Sequence, residues 1–241
     1  MALILMAKAP LPGSVKTRLC PPLAPRSAAS LYASMLTDVA EEMGNRLRGV
    51  RRYLYFSPPE EERRFLSPPF RRFERVAQRG RNLGERMGRA IRTSLKCGAR
   101  HAVVIGADCP SLSASRVRTA FRDLSGSADL VLGPSQDGGF YLIGASFPVP
   151  FLFRGIRWGT DSVLAEVILR CRRVGLSYSI LPVESDVDRP KDLETLLHPA
   201  GLRTTVSCPQ TRRWLRWFAS TSAGRAFSAS GKGSAFSQGR D

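Results

Sequence analysis

A chain of 241 residues, 43% of them hydrophobic, can bury one substantial α/β core, and it contains no apolar run of membrane-spanning length and no basic, apolar, cleavable leader pattern, so a cytoplasmic protein without a membrane span is expected. Five cysteines, an odd number with no CxxC pair, suit reduced thiols and argue against a disulfide framework or a cysteine zinc site. The net charge of +17 raises a nucleic-acid partner, yet the excess is nearly all arginine and sits in residues 46–100 (16 basic, 5 acidic) and 201–241 (7 basic, 1 acidic), while residues 101–200 carry 10 basic and 11 acidic side chains.

In chain order, Leu3 to Met6 reads as a buried strand, and Ala7 to Arg18 as a loop with two prolines, one glycine and three cations. Such a loop after a first strand suits phosphate: Gly13 lets the backbone approach an anion, Lys16 offers a point charge and Arg18 a forked donor. It is not a P-loop, because Val15 precedes Lys16-Thr17 where that motif needs glycine. Ala24 to Met43 has helical apolar spacing and should end near Gly44. Tyr53 to Phe56 predicts a second strand, Pro58-Pro59 a short charged helix, and Phe73 to Gln78 a third strand. Gln78 beside Gly80 and Gly84 fits either a turn or the reading of a nucleobase edge, and a helix runs on to Cys97.

The stretch from Val103 to Leu112 organises the rest. Ala102 to Ile105 is short and wholly apolar, as expected of a strand buried on both faces, and Asp108 follows just beyond Gly106. A carboxylate at the carboxyl end of a central strand faces the ligand crevice of an open α/β sheet, where it can hold a metal ion on a phosphate or simply close a loop. Ser111 or Ser113 can cap a helix reaching Leu124. Asp129 to Gly133 is another strand, and Asp137-Gly138-Gly139 before the strand Phe140 to Ile143 brings a carboxylate and backbone to one point, or forms a plain hairpin turn. Trp158 can stack on a sugar or fill core, and Thr160 can cap the helix Ser162 to Arg173. Ser177 to Leu181 is a strand; Asp186 and Asp188, separated by one residue, share a side if extended, which suits a metal, although Asp188 can also cap the last short helix. From Pro199 the composition turns to Ser, Gly, Ala and Arg; a helical turn at Thr211 to Ala219 is expected, and disorder beyond Ser220.

Six motifs in this order carry a resemblance: Lys8 to Leu19, Leu83 to Met87, Gly106 to Leu112, Gly133 to Gly144, Trp158 to Thr160, and Asp186 to Leu193. Together they resemble the small bacterial proteins of the A-type glycosyltransferase superfamily often labelled arsenosugar biosynthesis glycosyltransferases, over residues 2–197. The resemblance implies a nucleotide-binding α/β sheet, a divalent cation (Mg²⁺ or Mn²⁺) between Asp108 and Asp188, and phosphate contacts from Lys16 and Arg18. The chain departs from it at Arg81-Asn82-Leu83-Gly84, where Asn82 stands in place of the family's usual aspartate.

The expectation is therefore a Rossmann-like three-layer sandwich with a mostly parallel central sheet over residues 1–198, followed by a basic tail over 199–241. Its activity would be metal-dependent glycosyl transfer from a nucleoside-diphosphate sugar to a small-molecule acceptor. Nucleotidyl transfer from a triphosphate is the alternative enzyme, and an arginine-rich nucleic-acid binder the alternative of another class. Expected catalytic residues are Asp108 and Asp137, with Asp108 and Asp188 on the metal. Expected substrate contacts are Ala7, Lys8, Pro10, Gly13, Lys16 and Arg18 from the first loop, with Gln78, Gly84, Gly138, Gly139 and Trp158 opposite.

Overall fold

The computed structural model describes residues 1–198 and 208–234. Strands β1 (Ala2–Lys8), β2 (Arg51–Ser57), β3 (Glu74–Ala77), β4 (Ala102–Ile105), β5 (Leu130–Pro134), β6 (Phe140–Ala145) and β7 (Tyr178–Ile180) form one sheet in the order β3-β2-β1-β4-β6-β5-β7. Every pairing is parallel except those of β6, which runs antiparallel to both β4 and β5. The mostly parallel α/β architecture expected from the sequence is thus present.

The sheet is buried on both faces because its central strands are apolar at every position rather than at alternate ones. On β1, Leu3, Leu5 and Ala7 join one core, and Ala2, Ile4 and Met6 join the other. The first core is roofed by α1 (Pro25–Arg46) and α3 (Ala114–Ser125), the second by α2 (Leu83–Lys96) and α4 (Val163–Arg173). α5 (Pro190–Leu197), α6 (Pro209–Ser220) and α7 (Ser222–Ser234) complete the described chain.

α1 ends at Arg46, two residues past Gly44 and so near where the sequence places its end, and Gly44 packs under Arg72 and Phe73. The expected charged helix after Pro58 is a 3-10 segment, Pro59–Phe65, whose Phe65 is fully buried. Beyond Ser220, where disorder is expected, α7 continues; Thr221 Oγ1 accepts from Gly224 N at 3.0 Å and Phe227 packs on Phe218 with ring centroids 6.4 Å apart. The remaining tail residues, 199–207 and 235–241, lie outside the described residues.

α6 docks on α1 through Trp214, Leu215 and Phe218, all part of the first core. Asp38 of α1, only 1% exposed, accepts from Gln210 N (3.0 Å) and Thr211 N (2.8 Å), so it caps α6 from another helix. One turn later Glu42 Oε1 accepts from Ala114 N at 3.0 Å, at the start of α3.

Candidate active site

The site forms where β1, β4 and the segment after β7 end side by side. β4 stops at Ile105, and Asp108 emerges three residues on. The segment after β7 is drawn across by the backbone: Glu184 N donates to Pro134 O (3.1 Å), Gln136 N to Glu184 O (3.3 Å) and Val187 N to Asp108 O (3.0 Å). Those bonds bring Asp186 and Asp188 beside Asp108, although nearly eighty residues separate them in sequence. From the other side the β1 loop delivers Lys16, whose backbone is left-handed (φ 50, ψ 37), a conformation that non-glycine residues seldom adopt.

Lys16 is the centre of the charge arrangement. Its Nζ lies 2.5 Å from Asp108 Oδ1 and 3.6 Å from Asp188 Oδ1, with its side chain 4% exposed. Arg18 Nη1 is 3.0 Å from Asp188 Oδ2, and its Nη2 donates to Gly159 O at 3.5 Å. Burial pulls the Lys16 ammonium pKa down, but Asp108, then Asp188 and Asp186, outweigh it, and the net shift is upward. Asp186 is pushed up to about 6, first by burial and then by Asp137, against the opposing pull of Lys16. Cys109, wholly buried beside these acids, is raised well above a free thiol's value by burial and then by Asp108. It is a poor nucleophile in that state.

Around this cluster lies a crevice of about 610 Å³, within the range of small-molecule sites. Lys8, Lys16, Arg18 and Asp108 line one part, and Phe140, Trp158, Leu83 and Met87 an apolar part. The family model described as "Uncharacterized protein conserved in bacteria (DUF2064)" matches residues 41–160. A crystal structure from Desulfovibrio desulfuricans G20, described as a "putative nucleotide-diphospho-sugar transferase", is 32% identical, with a TM-score of 0.78 over 90% of this chain and 97% of that one. The chain belongs to this DUF2064 family. The fold is shared more distantly with a cytidylyltransferase from Leptospira borgpetersenii serovar Hardjo-bovis (13% identity, TM-score 0.55, 90% of this chain and 93% of that one). It is shared likewise with a CMP:2-keto-3-deoxy-manno-octonic acid synthetase complexed with CTP (15% identity, TM-score 0.50, 81% and 96%). No curated protein matches the chain.

In this DUF2064 chain, the crevice brings together Ala7, Lys8, Lys16, Arg18, Gln78, Asp108, Asp137, Gly139, Trp158 and Asp188. Pro10, Gly13, Gly84 and Gly138 are not among its lining residues, and the two glycines on the far side have packing reasons. A Cβ on Gly84 would meet Phe153 and Trp158 at 2.6 Å, so its absence seats α2 on those rings. Gly138, at φ +83, lies so close to Asp161 that a Cβ would sit 2.1 Å from Asp161 O.

Several side chains take roles other than those expected. Gln78 Nε2 donates to Ala7 O (2.9 Å) and Tyr55 O (2.7 Å), so both amide hydrogens tie β1 and β2 together and none is left for a base edge. Asp137 Oδ1 accepts from Ser135 Oγ (2.5 Å) and Gly139 N (2.9 Å), which makes it first an organiser of its own turn. Trp158 lines the crevice and packs on Phe140 and Phe153 at centroid distances of 6.3 and 6.1 Å. Asn82 caps α2, its Oδ1 accepting from Glu85 N at 2.9 Å. Ser113 caps α3, whereas Thr160 bonds Arg157 O and Ser162 Oγ and leaves α4 without a side-chain cap. Asp188 is no helix cap either: Asp192 Oδ2 accepts from Asp188 N and Arg189 N, and the Asp188 carboxylate turns to Lys16 and Arg18.

Asp186, which the sequence offers beside Asp188 as suited to a metal, lines the crevice as well. Tyr32, which no sequence signal singles out, also lines it, and its hydroxyl accepts from Lys8 N at 3.0 Å. Among the described residues no group of three or more His, Cys, Asp or Glu side chains is positioned to hold a metal ion. No helix among them is long and apolar enough to cross a membrane.

Proposed function

We propose that this protein transfers a glycosyl group from a nucleoside-diphosphate sugar to a small-molecule acceptor, with the diphosphate bound at Lys16 and Arg18. The observation that carries the reading is the pairing of a buried ammonium and a guanidinium with Asp108 and Asp188 at the strand ends, inside a crevice of ligand size. The similarity to the D. desulfuricans protein supports it. The arsenosugar branch of the resemblance rests on the six sequence motifs alone.

In this reading the acceptor oxygen forms a bond to the anomeric carbon as the carbon–oxygen bond to the diphosphate breaks, and charge grows on the departing phosphate oxygen. Lys16 and Arg18 are the donors placed to meet that charge, in a site partly shielded from water. Phe140 and Trp158 offer a surface on which a sugar ring can stack. Lys8 adds a further cation at the crevice wall.

The donor set also fits a divalent cation. Asp108 and Asp188 provide two hard oxygen ligands, and an ion of the Mg²⁺ or Mn²⁺ kind usually takes one or two carboxylates and completes its shell with phosphate oxygens and water. Those two residues would hold it, and when bound it would supply Lewis-acid neutralisation of the diphosphate.

Nucleotidyl transfer is the second reading, favoured by the fold shared with the two cytidylyl-type enzymes; there the attack falls on phosphorus and pyrophosphate leaves. Thermal-shift screening against nucleoside-diphosphate sugars and nucleoside triphosphates, each with Mn²⁺, separates the two. Stabilisation by a diphosphate sugar and release of the free nucleoside diphosphate on adding acceptor are expected. Stabilisation by triphosphates alone, with pyrophosphate released, would transfer the conclusion to the second reading. Tight binding of duplex DNA at physiological salt with no nucleotide response would overturn both.

A further inference from the structure

A cation of the protein's own stands at the carboxylate pair. Lys16 Nζ touches Asp108 at 2.5 Å and stands 3.6 Å from Asp188, and Arg18 occupies the other oxygen of Asp188 at 3.0 Å. This is an unusual place for a lysine. Its side chain is 4% exposed, so its charge has been taken out of water and is balanced almost wholly by these acids. The backbone that carries it is left-handed at a non-glycine residue, a strain that persists only where surrounding contacts over-determine it. Three residues earlier, Gly13 is also at positive φ, with nothing within 4 Å of where a Cβ would be.

We propose that Lys16 is an internal occupant of the divalent-cation position, so that Asp108 and Asp188 accept a metal ion only when a diphosphate draws Lys16 and Arg18 onto its own oxygens. The proposal rests on the reading of this crevice as a diphosphate site. The electrostatics give it direction. A divalent ion approaching Asp108 and Asp188 alone meets an ammonium within contact distance of the same oxygens, and two like charges in a partly desolvated site repel strongly. A diphosphate changes the balance in both respects: it brings negative charge to the site and offers acceptors to the two cations now bound to the carboxylates. Ion and diphosphate then bind with positive coupling, and by linkage each raises the other's affinity by the same factor. Lys16 acts on the ion through the carboxylates and is a positioning residue in this role.

The test measures Mn²⁺ binding directly, by the loss of the free-ion electron paramagnetic resonance signal, on the full chain at fixed ionic strength. Wild-type protein, Lys16→Met and Lys16→Gln are titrated with Mn²⁺ alone, with circular dichroism to check that the variants are folded. Both variants should bind one Mn²⁺ about tenfold or more tightly than wild type, because the competing charge is gone. The double variant Lys16→Met/Asp108→Asn should lose that gain, which assigns the ion to the carboxylate pair. Wild-type protein is also titrated with Mn²⁺ in the presence of inorganic pyrophosphate, against a protein-free pyrophosphate control; retention of Mn²⁺ on the protein only with pyrophosphate is expected. This arm keeps the test decisive if a variant does not fold. Wild type that binds Mn²⁺ alone as tightly as Lys16→Met, or as tightly without pyrophosphate as with it, would overturn the proposal and leave the transferase reading standing. A gain in Lys16→Met without any response to nucleoside-diphosphate sugars would instead uphold the internal cation and remove the proposed substrate.

Discussion

The α1 face and the crevice both gather carboxylates among helix ends and strand ends, yet they use them in opposite ways. On α1, Asp38 has both oxygens on backbone N–H groups of α6, and Glu42 has one on α3 and the other 3.0 Å from Arg46 Nε. Those acids are satisfied by groups that every helix N-terminus must find partners for, and they join helices. In the crevice Asp108 and Asp188 meet side-chain cations on a loop, 47% and 29% exposed, and both border open space. A carboxylate bonded to backbone amides is fixed by the fold; one bonded to a movable cation can exchange that partner for a ligand. The number of acids does not separate the two regions, but the identity of their partners does.

Substitutions on the α1 face should move stability and spare binding. Trp214, 5% exposed and stacked on Phe218 at 5.1 Å, is the anchor of α6, so Trp214→Ala should lower unfolding free energy by about 3–5 kcal/mol in urea denaturation. Nucleotide affinity of the folded fraction should be unchanged, and a loss of affinity would mean that α6 communicates with the crevice.

Asp108→Asn tests the boundary between the two kinds of carboxylate. It leaves the buried Lys16 with only the more distant Asp188, so a loss of about 3 kcal/mol in stability is expected together with loss of Mn²⁺-dependent nucleotide binding. Unchanged calorimetric affinity for the Mn²⁺–nucleotide pair would remove Asp108 from the metal. Asp38→Ala should cost roughly 2 kcal/mol, the loss of a cap made through two charge-assisted bonds, with no change in Mn²⁺ or nucleotide affinity.

Smaller effects sharpen the contrast. Arg18→Ala removes an exposed ion pair and should change stability by under about 1 kcal/mol. It should nevertheless weaken diphosphate binding by roughly 1–3 kcal/mol, and a bare nucleoside much less. Equal losses for both ligands would point to a disturbed loop. Asn82→Asp should be the quietest, within about 0.5 kcal/mol of wild type in chemical denaturation, because either side chain caps a helix equally well.

The strands were legible because their signal is local. The apolar run Ala102 to Ile105 coincides with β4, and Leu3 to Met6 lies inside β1, since a strand buried on both faces needs apolar side chains at every position. The site's participants were legible in type: Lys16, Arg18, Asp108 and Asp188 stand out as charges after strand-like runs, and the structure brings them within 4 Å of one another in pairs. Their partners were not. Asp188 fits a helix cap in sequence, yet Asp192 takes that role, and Gln78 fits a turn or a base edge, yet β1 and β2 take both its amide hydrogens. In the tail, the helix expected at Thr211 to Ala219 is present as α6, held on α1 by Asp38 and an apolar face, whereas α7 was not legible because its Ser, Gly and Ala content buries little by itself. Sequence alone determined which segments must be buried and where charge enters the loops, because burial pattern and turn chemistry act over a few residues. Which charge meets which was decided by the tertiary structure, because a pair such as Lys16 and Asp108 exists only once β1 and β4 lie side by side.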